Sequence, residues 1–316
     1  MVKVAIAGGT GSLGRTILDV LKEHPEHKAV ILTRKTAPSS NNHIQSLVVD
    51  YTDIPALTAV LEENEIHTVI AAFGISGNSL STSQINLIKA ADASQPTKRF
   101  IPTSFAIPYP ESGVEILPPL QAYFDSINLL KETSLEWTVF HNGIFLDYFG
   151  CLGPEGGLKS HLKPNTFAID IPNRVAAIPG DGNVPVTFTY TFDVARFVVR
   201  TLRMEKWEDE SRVIGETVTW NEFLRVVEDV TESKFEVHYD SVEKLKRFEI
   251  TELPGHTELY GSFPKQRYQW FMAIFELWTT DGTSKMKREG SLNEKFPEIK
   301  SLGVREFLER SWKGAI

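Results

Sequence analysis

Three glycines near the start of the chain have the spacing of a loop that binds a diphosphate. Gly8, Gly11 and Gly14 follow the apolar run 2–7 and open an amphipathic segment, 13–21. Such a loop needs a tight turn without side-chain bulk and helix N–H groups whose positive dipole end faces the anion. A strand before the glycines and a helix after them indicate the dinucleotide-binding loop of a Rossmann fold. The loop residues expected to contact the cofactor are Gly8, Thr10, Gly11, Ser12, Leu13 and Gly14.

The same stretch has two other interpretations. Gly9 and Gly14 also have the spacing of the phosphate-binding loop of nucleoside triphosphatases. Arg15 then occupies the position of the lysine that contacts the terminal phosphates, and no carboxylate suited to magnesium follows a later strand. A purely structural turn is the third interpretation. We favour the dinucleotide-binding loop because both neighbouring elements fit it.

The residues after the second predicted strand favour a phosphorylated dinucleotide. Proteins that prefer NAD usually have an acidic residue here, whereas this chain has Thr33, Arg34 and Lys35. A guanidinium can form a bidentate, charge-assisted contact with a 2′-phosphate, so Arg34 and Lys35 favour NADPH over NADH. The alternative is that both are merely solvated loop residues. Asp50, which ends the third predicted strand, either accepts a hydrogen bond from the adenine amine or caps the next segment.

The elements that must position these residues alternate between strand and helix. Short apolar runs recur in the first half, with helical spacing between them, which predicts a parallel sheet covered on both faces. We therefore predict an α/β fold, a Rossmann doubly wound parallel sheet at 1–150, to which 185–216 returns. The Gly- and Pro-richer stretches 153–157 and 178–183 mark the change to a smaller α+β domain, formed by 151–184 and 217–316. Two capped helices are predicted in the second half of the chain, with Asp193 and Thr219 as their N-caps.

Composition narrows the class of protein. The chain has 316 residues, of which 41% are hydrophobic and 23% charged, as in an ordinary globular protein. A net charge of −8 argues against nucleic-acid binding, and a single cysteine, Cys151, excludes an intrachain disulfide. The sequence lacks an apolar run of roughly 18 residues and zinc-like spacing of His and Cys. We expect a cytoplasmic monomer or homodimer without a metal, a membrane span or a nucleic-acid partner.

With these motifs in order, the chain resembles the NmrA-like, isoflavone-reductase-like branch of the atypical short-chain dehydrogenases, in particular its fungal members. The resemblance spans nearly the whole chain. Beyond the glycine loop and Thr33-Arg34, it rests on the segments 98–105, 135–138, 143–148, 178–183 and 192–197. It implies a Rossmann domain with a smaller C-terminal substrate domain, NADPH at the sheet edge, and reduction of small, often aromatic or polyketide-like metabolites.

One departure from this family concerns the proton donor. Its reductases have a lysine at a fixed distance before the strand that here begins at Leu135, and Tyr123 stands at that position. The Tyr-x-x-x-Lys pair of ordinary short-chain dehydrogenases is absent too, since Ile127 replaces its lysine. Hydride transfer builds negative charge that needs a nearby proton or cation. Tyr123 is our candidate donor, with its pKa lowered by a neighbouring cation or the cofactor ribose; the alternative is a space-filling helix residue.

The carboxyl ends of the other strands supply further candidates, since open α/β sheets hold ligands there. Ser104 follows the fifth strand and can hydrogen-bond a substrate oxygen or the nicotinamide amide. Thr103 beside it is assigned to the cofactor. Phe73 and Gly74 end the fourth strand and approach the cofactor by ring and backbone, although Phe73 also fits a core position.

His141, Asn142 and Phe145 follow the sixth strand and are assigned to the substrate, although His141 also fits a satisfied structural histidine. Together the residues predict an NADPH-dependent reductase of a small hydrophobic, aromatic or polyketide-like metabolite, with Tyr123 or a substrate-bound water as the proton source. One alternative is an isomerase, cyclase or dehydratase on the same fold. Another is a regulatory protein that senses the NAD(P) redox state.

Overall fold

The chain forms two compact units, each built from several segments. A computed structural model describes residues 2–35, 44–74, 78–150, 157–163 and 165–312. Unit 1 comprises Met1–Phe105, Pro118–His141 and Ala195–Ser211; unit 2 comprises Ala106–Leu117, Asn142–Val194 and Arg212–Ile316. The return to the first unit therefore covers 195–211, a shorter segment than the 185–216 expected from the sequence. Most of the glycine-rich stretch 153–157 lies outside the described residues.

Unit 1 contains a six-stranded parallel sheet in the order β3-β2-β1-β4-β5-β6. Its strands are β1 (Lys3–Ala7), β2 (Lys28–Thr33), β3 (Gln45–Val48), β4 (Thr68–Ala71), β5 (Arg99–Ile101) and β6 (Glu136–Trp137). The predicted doubly wound parallel sheet is confirmed. Chain order reverses direction across β1 and β4, and Ala7 is in register with both Leu32 and Ala71. Residues that follow β1, β2 and β4 therefore meet at one edge, where such sheets bind ligands.

Helices alternate with the buried strands along the chain, and their apolar faces pack on the sheet. They are α1 (Ser12–Leu21), α2 (Ile54–Glu63), α3 (Ile85–Ala93) and α4 (Gln121–Lys131), with a π-helical segment Ser79–Gln84 before α3. All four residues of β4 are buried, as expected for a strand covered on both faces. After Thr138, β7 (Val139–His141) leaves the sheet and pairs with β12 (Glu210–Arg212). This pairing brings a late segment of the chain beside the end of β7.

A buried arginine holds the returning segment in unit 1. Arg99 Nε donates to Glu136 Oε2 at 2.5 Å, and Nη2 donates to the carbonyl oxygens of Met204 and Glu205 at 2.8 and 2.9 Å. The guanidinium carbon lies 4.9 Å from the centre of the Trp207 ring. Its charge is thus paired and its donors are used, which a buried guanidinium requires.

Unit 2 has a separate, aromatic core between short sheets and helices. Its three-stranded sheets, β14-β10-β9 and β13-β11-β8, contain β8 (Ile144–Phe145), β9 (Ile169–Asp170), β10 (Val175–Pro179), β11 (Pro185–Thr189), β13 (Glu216–Thr219) and β14 (Glu236–Asp240). The later helices are α5 (Thr191–Thr201), α6 (Trp220–Val230), α7 (Val242–Lys246), α8 (His256–Leu259), α9 (Lys265–Leu277), α10 (Leu292–Lys295) and α11 (Val304–Trp312). The core includes Phe149, Phe188, Trp220 and Phe223.

The two helix N-caps predicted for this half have different outcomes. Thr219 caps α6 and forms the predicted capping box with Glu222. The prediction for α5 was wrong, because the helix begins two residues before Asp193. Instead, the buried carboxylate of Asp147 accepts from Thr191 N at 2.9 Å and from Thr191 Oγ1 at 2.6 Å. Asp193 accepts from Leu302 N at 2.8 Å.

Candidate active site

Two glycines of the loop are required by the protein's own backbone. Gly8 has a φ of +81°, and a Cβ there would lie 2.3 Å from Ala72 O. A Cβ on Gly14 would lie 2.3 Å from Gly8 O. Real Cβ atoms do not approach a carbonyl oxygen this closely, so both positions need glycine for the close packing of the loop.

Gly11 differs, because a Cβ there would meet one atom, Gly8 O, at 3.2 Å among the described residues. Its amide donates to Gly8 O at 2.8 Å, and its carbonyl accepts the first helical bond from Arg15 N at 2.9 Å. No described side chain caps the start of α1, and its first turn has no acidic residue. The helix N-terminus therefore presents free space, N–H groups and a positive dipole end, which together suit an anion.

A cleft of about 630 Å³ lies beside this loop, within unit 1. The predicted residues that line it are Gly8, Thr10, Gly11, Arg34, Lys35, Phe73 and Gly74. Among the predicted cofactor residues, Ser12, Leu13, Gly14, Asp50 and Thr103 are not part of its described lining. Sequence reasoning missed three polar lining residues, Tyr51, Ser79 and Ser83. The two serines belong to the π-helical segment. In the sequence, only the Ser- and Thr-rich composition of 79–83 pointed to polar residues at this place.

Positive charge lies at the end of β2 in this cleft. Arg34 and Lys35 are exposed, and Thr33 Oγ1 donates to Lys35 O at 2.9 Å, which holds the turn. Arg34 also lines a second cavity of about 490 Å³, together with Asp50 and Tyr51. Asp50 Oδ1 accepts from Thr52 N at 2.8 Å and from Thr52 Oγ1 at 2.7 Å, and these bonds lower the pKa of the Asp50 carboxyl. Asp50 thus caps a turn while it also borders the cavity.

A buried hydrogen-bond network fixes the wall of the cleft at the end of β4. Thr103 Oγ1 accepts from Phe73 N at 3.0 Å, and Thr103 N donates to Gln84 Oε1 at 2.7 Å. Gln84 Nε2 donates in turn to Ser126 Oγ of α4 at 2.9 Å. The Phe73 ring packs edge to face on Tyr51, with 5.2 Å between the ring centres. Thr103 therefore contributes to the cleft by holding the backbone of Phe73.

Tyr123 forms part of a chain of three titratable side chains, also within unit 1. Its hydroxyl lies 3.2 Å from His141 Nε2, and His141 Nδ1 lies 3.0 Å from Glu210 Oε1. Burial raises the pKa of the Tyr123 phenol, and the Glu210 charge raises it further. The Tyr123 hydroxyl contacts an imidazole held by a carboxylate rather than a fixed cation, so the lowering of the pKa expected from a neighbouring cation is not found. Lowering of this pKa by the cofactor ribose stays a prediction. Sequence reasoning missed Glu210 altogether.

Ser104 lies close to the same strand end as His141. Its Oγ accepts from Phe140 N at 2.9 Å, and its donor contact to Pro102 O is long, at 3.4 Å. The next residue, Phe105, has a left-handed φ of +48° and stacks on Phe140 with ring centres 5.7 Å apart. Strained backbone of this kind is frequent at functional sites. The hydroxyl hydrogen of Ser104 is only weakly held and can serve another acceptor.

The remaining predicted substrate residues belong to unit 2. Asn142 is fully buried and donates to Gly143 O at 3.1 Å, and its Oδ1 has no hydrogen-bond partner among the described residues. Phe145 is partly buried and packs edge to face on Tyr148, with ring centres 6.1 Å apart. Along α9 and the residue that follows it, Ile274 and Trp278 are buried, while Phe271 and Phe275 lie partly exposed at the margin of the core.

Two further features concern metal binding and membrane insertion. Within the described ranges, no group of three or more His, Cys, Asp or Glu side chains is arranged to hold a metal ion. The helices of the same ranges include none long and apolar enough to cross a membrane.

Comparison with known proteins gives consistent matches along the chain. The sequence profile of the NmrA-like family matches residues 2–285. Oxidoreductase BOA1 of Botryotinia fuckeliana (strain B05.10) is 36% identical over 304 residues, which cover 95% of this chain and 96% of the relative. Oxidoreductase swnN of Metarhizium robertsii (strain ARSEF 23 / ATCC MYA-3075) is 29% identical over 342 residues, covering 99% and 98%.

Among solved structures, the binary complex of leucoanthocyanidin reductase with NADPH from Vitis vinifera superimposes with a TM-score of 0.72. The match has 20% sequence identity and covers 96% of this chain and 97% of that protein. At this identity the likeness establishes the fold.

Proposed function

The chain belongs to the NmrA-like family, and from this membership we propose that it is an NADPH-dependent reductase of a small hydrophobic, aromatic or polyketide-like metabolite. The relatives' names support an oxidoreductase, and the fold is that of a reductase whose complex contains NADPH. The observation that carries the proposal is the open N-terminus of α1 beside the exposed Arg34, in one cleft.

The residues present fit this cofactor. The free space at Gly11 and the uncapped helix start would receive the diphosphate, and Arg34 and Lys35 would pair with the 2′-phosphate. Phe73, Gly74 and the serines of the π-helical segment form the rest of the wall. Once bound, NADPH supplies a hydride, and the protein must then supply a proton and orient the acceptor. Tyr123 or a substrate-bound water is the proposed proton source, with Ser104 orienting the acceptor oxygen.

The proposal also assigns cofactor binding and substrate binding to different segments of the chain. Residues 1–150 and the returning segment bind the cofactor, while 151–184 and 217–316 bind the substrate. The partly exposed Phe271 and Phe275 support an apolar substrate, because they lie at the edge of an aromatic core. We also propose a cytoplasmic location and a monomeric or homodimeric state. Light scattering of the purified protein tests the oligomeric state.

Arg34 provides the sharpest test of the cofactor. We expect wild-type protein to bind NADPH more tightly than NADH in calorimetric titrations. Arg34→Ala removes a charge-assisted contact worth about 1.5–3 kcal/mol, so NADPH binding should weaken roughly tenfold to a hundredfold while NADH binding stays unchanged. Arg247→Ala is the matched control, since Arg247 is exposed and pairs with Glu249 far along the chain. Equal affinity of the wild type for both dinucleotides would refute the preference.

The replaced lysine favours a second candidate, a non-redox isomerase, cyclase or dehydratase on the same fold. NADPH carrying deuterium at its transferable position separates the two functions. A panel of aromatic ketones, enones and quinones is incubated with the protein and this cofactor. Deuterium in a reduced product supports the reductase, whereas an unlabelled rearranged product with intact cofactor supports the non-redox enzyme.

A further inference from the structure

We propose that His141 and Glu210 act as positioning residues in a proton relay that ends at Tyr123 and replaces the lysine missing from this chain. In this relay Tyr123 gives the proton to the reduced acceptor, and His141 returns a proton to Tyr123. Glu210 orients the histidine and stabilises its charged form. The inference rests on the proposed reductase function, which it deepens by naming the proton path.

The three side chains come from three elements that the fold brings together. Tyr123 lies on α4, His141 ends β7, and Glu210 begins β12, the strand paired with β7. Tyr123 and His141 are 5% and 7% exposed, whereas the Glu210 side chain is 40% exposed. The chain therefore leads from a buried phenol to a carboxylate in contact with solvent. A purely space-filling tyrosine would not need the two partners behind it.

The hydrogen bonds determine which nitrogen carries the proton. An ionised carboxylate only accepts, so Nδ1 of His141 must carry a hydrogen to bond Glu210. In the neutral ring, Nε2 then accepts from the Tyr123 hydroxyl. In the charged ring, Nε2–H donates to the Tyr123 oxygen, and the phenol hydrogen is released for another acceptor. The protonation state of one ring thus decides whether Tyr123 can donate outward.

The proton transfers balance without any further reagent. The Tyr123 O–H bond breaks as a new bond forms between that proton and the anionic acceptor. The Nε2–H bond of the imidazolium then breaks and restores the phenol. After the product leaves, the Tyr123 hydrogen passes back to Nε2 as the phenol oxygen takes a proton from solvent, which restores the charged ring. The second step offsets the high pKa of the buried phenol, because the phenolate never has to persist beside Glu210.

The Ser104 hydroxyl lies close to this relay. It accepts from the amide of Phe140, the residue before His141, at 2.9 Å. Two hydroxyl groups, one able to orient an oxygen and one able to protonate it, are therefore held at the end of the same strand. Within the described residues, the titratable side chains that hydrogen-bond His141 are Tyr123 from α4 and Glu210 from β12. Asp209 meets β7 through its backbone carbonyl, which accepts from Val139 N at 2.9 Å.

A first test needs neither cofactor nor substrate. Nuclear magnetic resonance of protein labelled with 15N in histidine reports the tautomer of each ring, and the His141→Gln spectrum assigns the His141 signals. We expect neutral His141 to carry its hydrogen on Nδ1. Glu210→Gln should weaken this preference, because a neutral amide holds the ring hydrogen less strongly than a carboxylate does. A hydrogen on Nε2 of the wild-type ring overturns the relay.

A second test follows turnover of the compound that the deuterium assay identifies. Tyr123→Phe should lower kcat by about a hundredfold, a usual contribution of a positioned acid. Glu210→Gln should keep activity at low pH and lose it at higher pH earlier than the wild type. Glu208→Gln, an exposed carboxylate on the same segment, is the control and should leave the profile unchanged. An unaltered pH profile in Glu210→Gln, with Tyr123→Phe active, overturns the relay while leaving the reductase function standing.

Discussion

The loop requires glycine at Gly14 and at Gly11 for two different reasons. Gly14 is fixed by the backbone of the loop itself, whereas Gly11 borders open space at the start of a helix. The sequence motif does not distinguish these roles, since all three positions fit the same pattern. The distances to neighbouring atoms separate them and suggest that the space at Gly11 exists for a ligand.

Alanine substitutions at Gly11 and Gly14 should therefore affect different properties, cofactor binding at the first and stability of the fold at the second. Gly11→Ala is expected to leave the melting temperature nearly unchanged and to weaken NADPH binding by about tenfold or more, because the methyl group occupies the space of the diphosphate. Gly14→Ala is expected to destabilise the fold by about 1–3 kcal/mol, because Gly8 O must move. Calorimetric titration and thermal unfolding measure both effects. Undiminished NADPH binding by Gly11→Ala would contradict the proposed position of the diphosphate.

Glu276 on α9 is a buried acid that the proposed mechanism does not use. Burial raises its pKa well above the usual value, and Oε2 has no hydrogen-bond partner among the described residues. A raised folded-state pKa means that its uncharged form fits the native state. The stability linked to it is present at low pH and is lost as pH rises through the folded-state pKa.

Glu276→Gln should consequently stabilise the protein on the alkaline side. The glutamine keeps the shape of the neutral acid and cannot ionise, so the melting temperature should rise by about 3 °C at pH 8 and hardly change at pH 5. Thermal scans across this range check the prediction, with Glu258→Gln on an exposed turn of α8 as the control. A mutant curve parallel to the wild type at every pH would show that Glu276 binds the same number of protons in the folded and unfolded states, which contradicts a raised folded-state pKa.

At the scale of elements, the π-helical segment before α3 connects the proposed cofactor cleft with α4. Ser79 and Ser83 line the cleft, and Gln84 at the end of the segment bonds both Thr103 and Ser126. Periodicity did not predict this segment, because a short stretch rich in Ser and Thr is also typical of a loop. Wide helical turns are frequent at functional sites, and this one places two hydroxyl groups in the wall.

Loss of the Gln84 amide should affect both stability and cofactor binding. Gln84→Met retains the bulk but leaves Thr103 N without its acceptor, which costs about 1–3 kcal/mol for a buried donor. NADPH binding should weaken as well, since the segment that carries Ser79 and Ser83 loses its anchor. Gln121→Met on the exposed face of α4 is the matched control. If only the melting temperature falls, Gln84 supports the core alone.

The strands were more predictable than the contacts between distant segments. Continuous apolar runs predicted the parallel sheet, since a strand covered on both faces needs apolar residues throughout. The capping box of α6 was predicted because its two partners are three residues apart. The cap of α5 was not, because Asp147 is 44 residues from Thr191. Glu210 was missed for the same reason, since only the pairing of β12 with β7 brings it to His141.

At the scale of the whole molecule, the chain leaves unit 1 and returns to it through 195–211. The sequence predicted a return but not its extent, because the anchoring contacts, those of Arg99 among them, join segments far apart in the chain. Arg99 and its acceptors are about a hundred residues apart in sequence. Local periodicity contains no information about such a pairing.

Arg99→Met should release this returning segment. The substitution removes the partner of Glu136 and two carbonyl bonds, and loss of one member of a buried ion pair costs about 3–5 kcal/mol. Hydrogen exchange should increase in 202–207 more than in β1 or β4. Arg203→Met, at an exposed arginine of the same segment, is the control and should change exchange little. Uniform exchange across the chain would indicate that the segment has other anchors.

The close approach of Gly8 to Ala72 O joins the floor of the loop to the end of β4 without any intervening side chain. A change that displaces Ala72 O would therefore also move the backbone at Gly8. Such a change would alter the affinity for the proposed cofactor through the floor of the loop, in addition to any direct contact in the cleft. Engineering of dinucleotide preference in this protein thus has to treat the two strand ends as a single part.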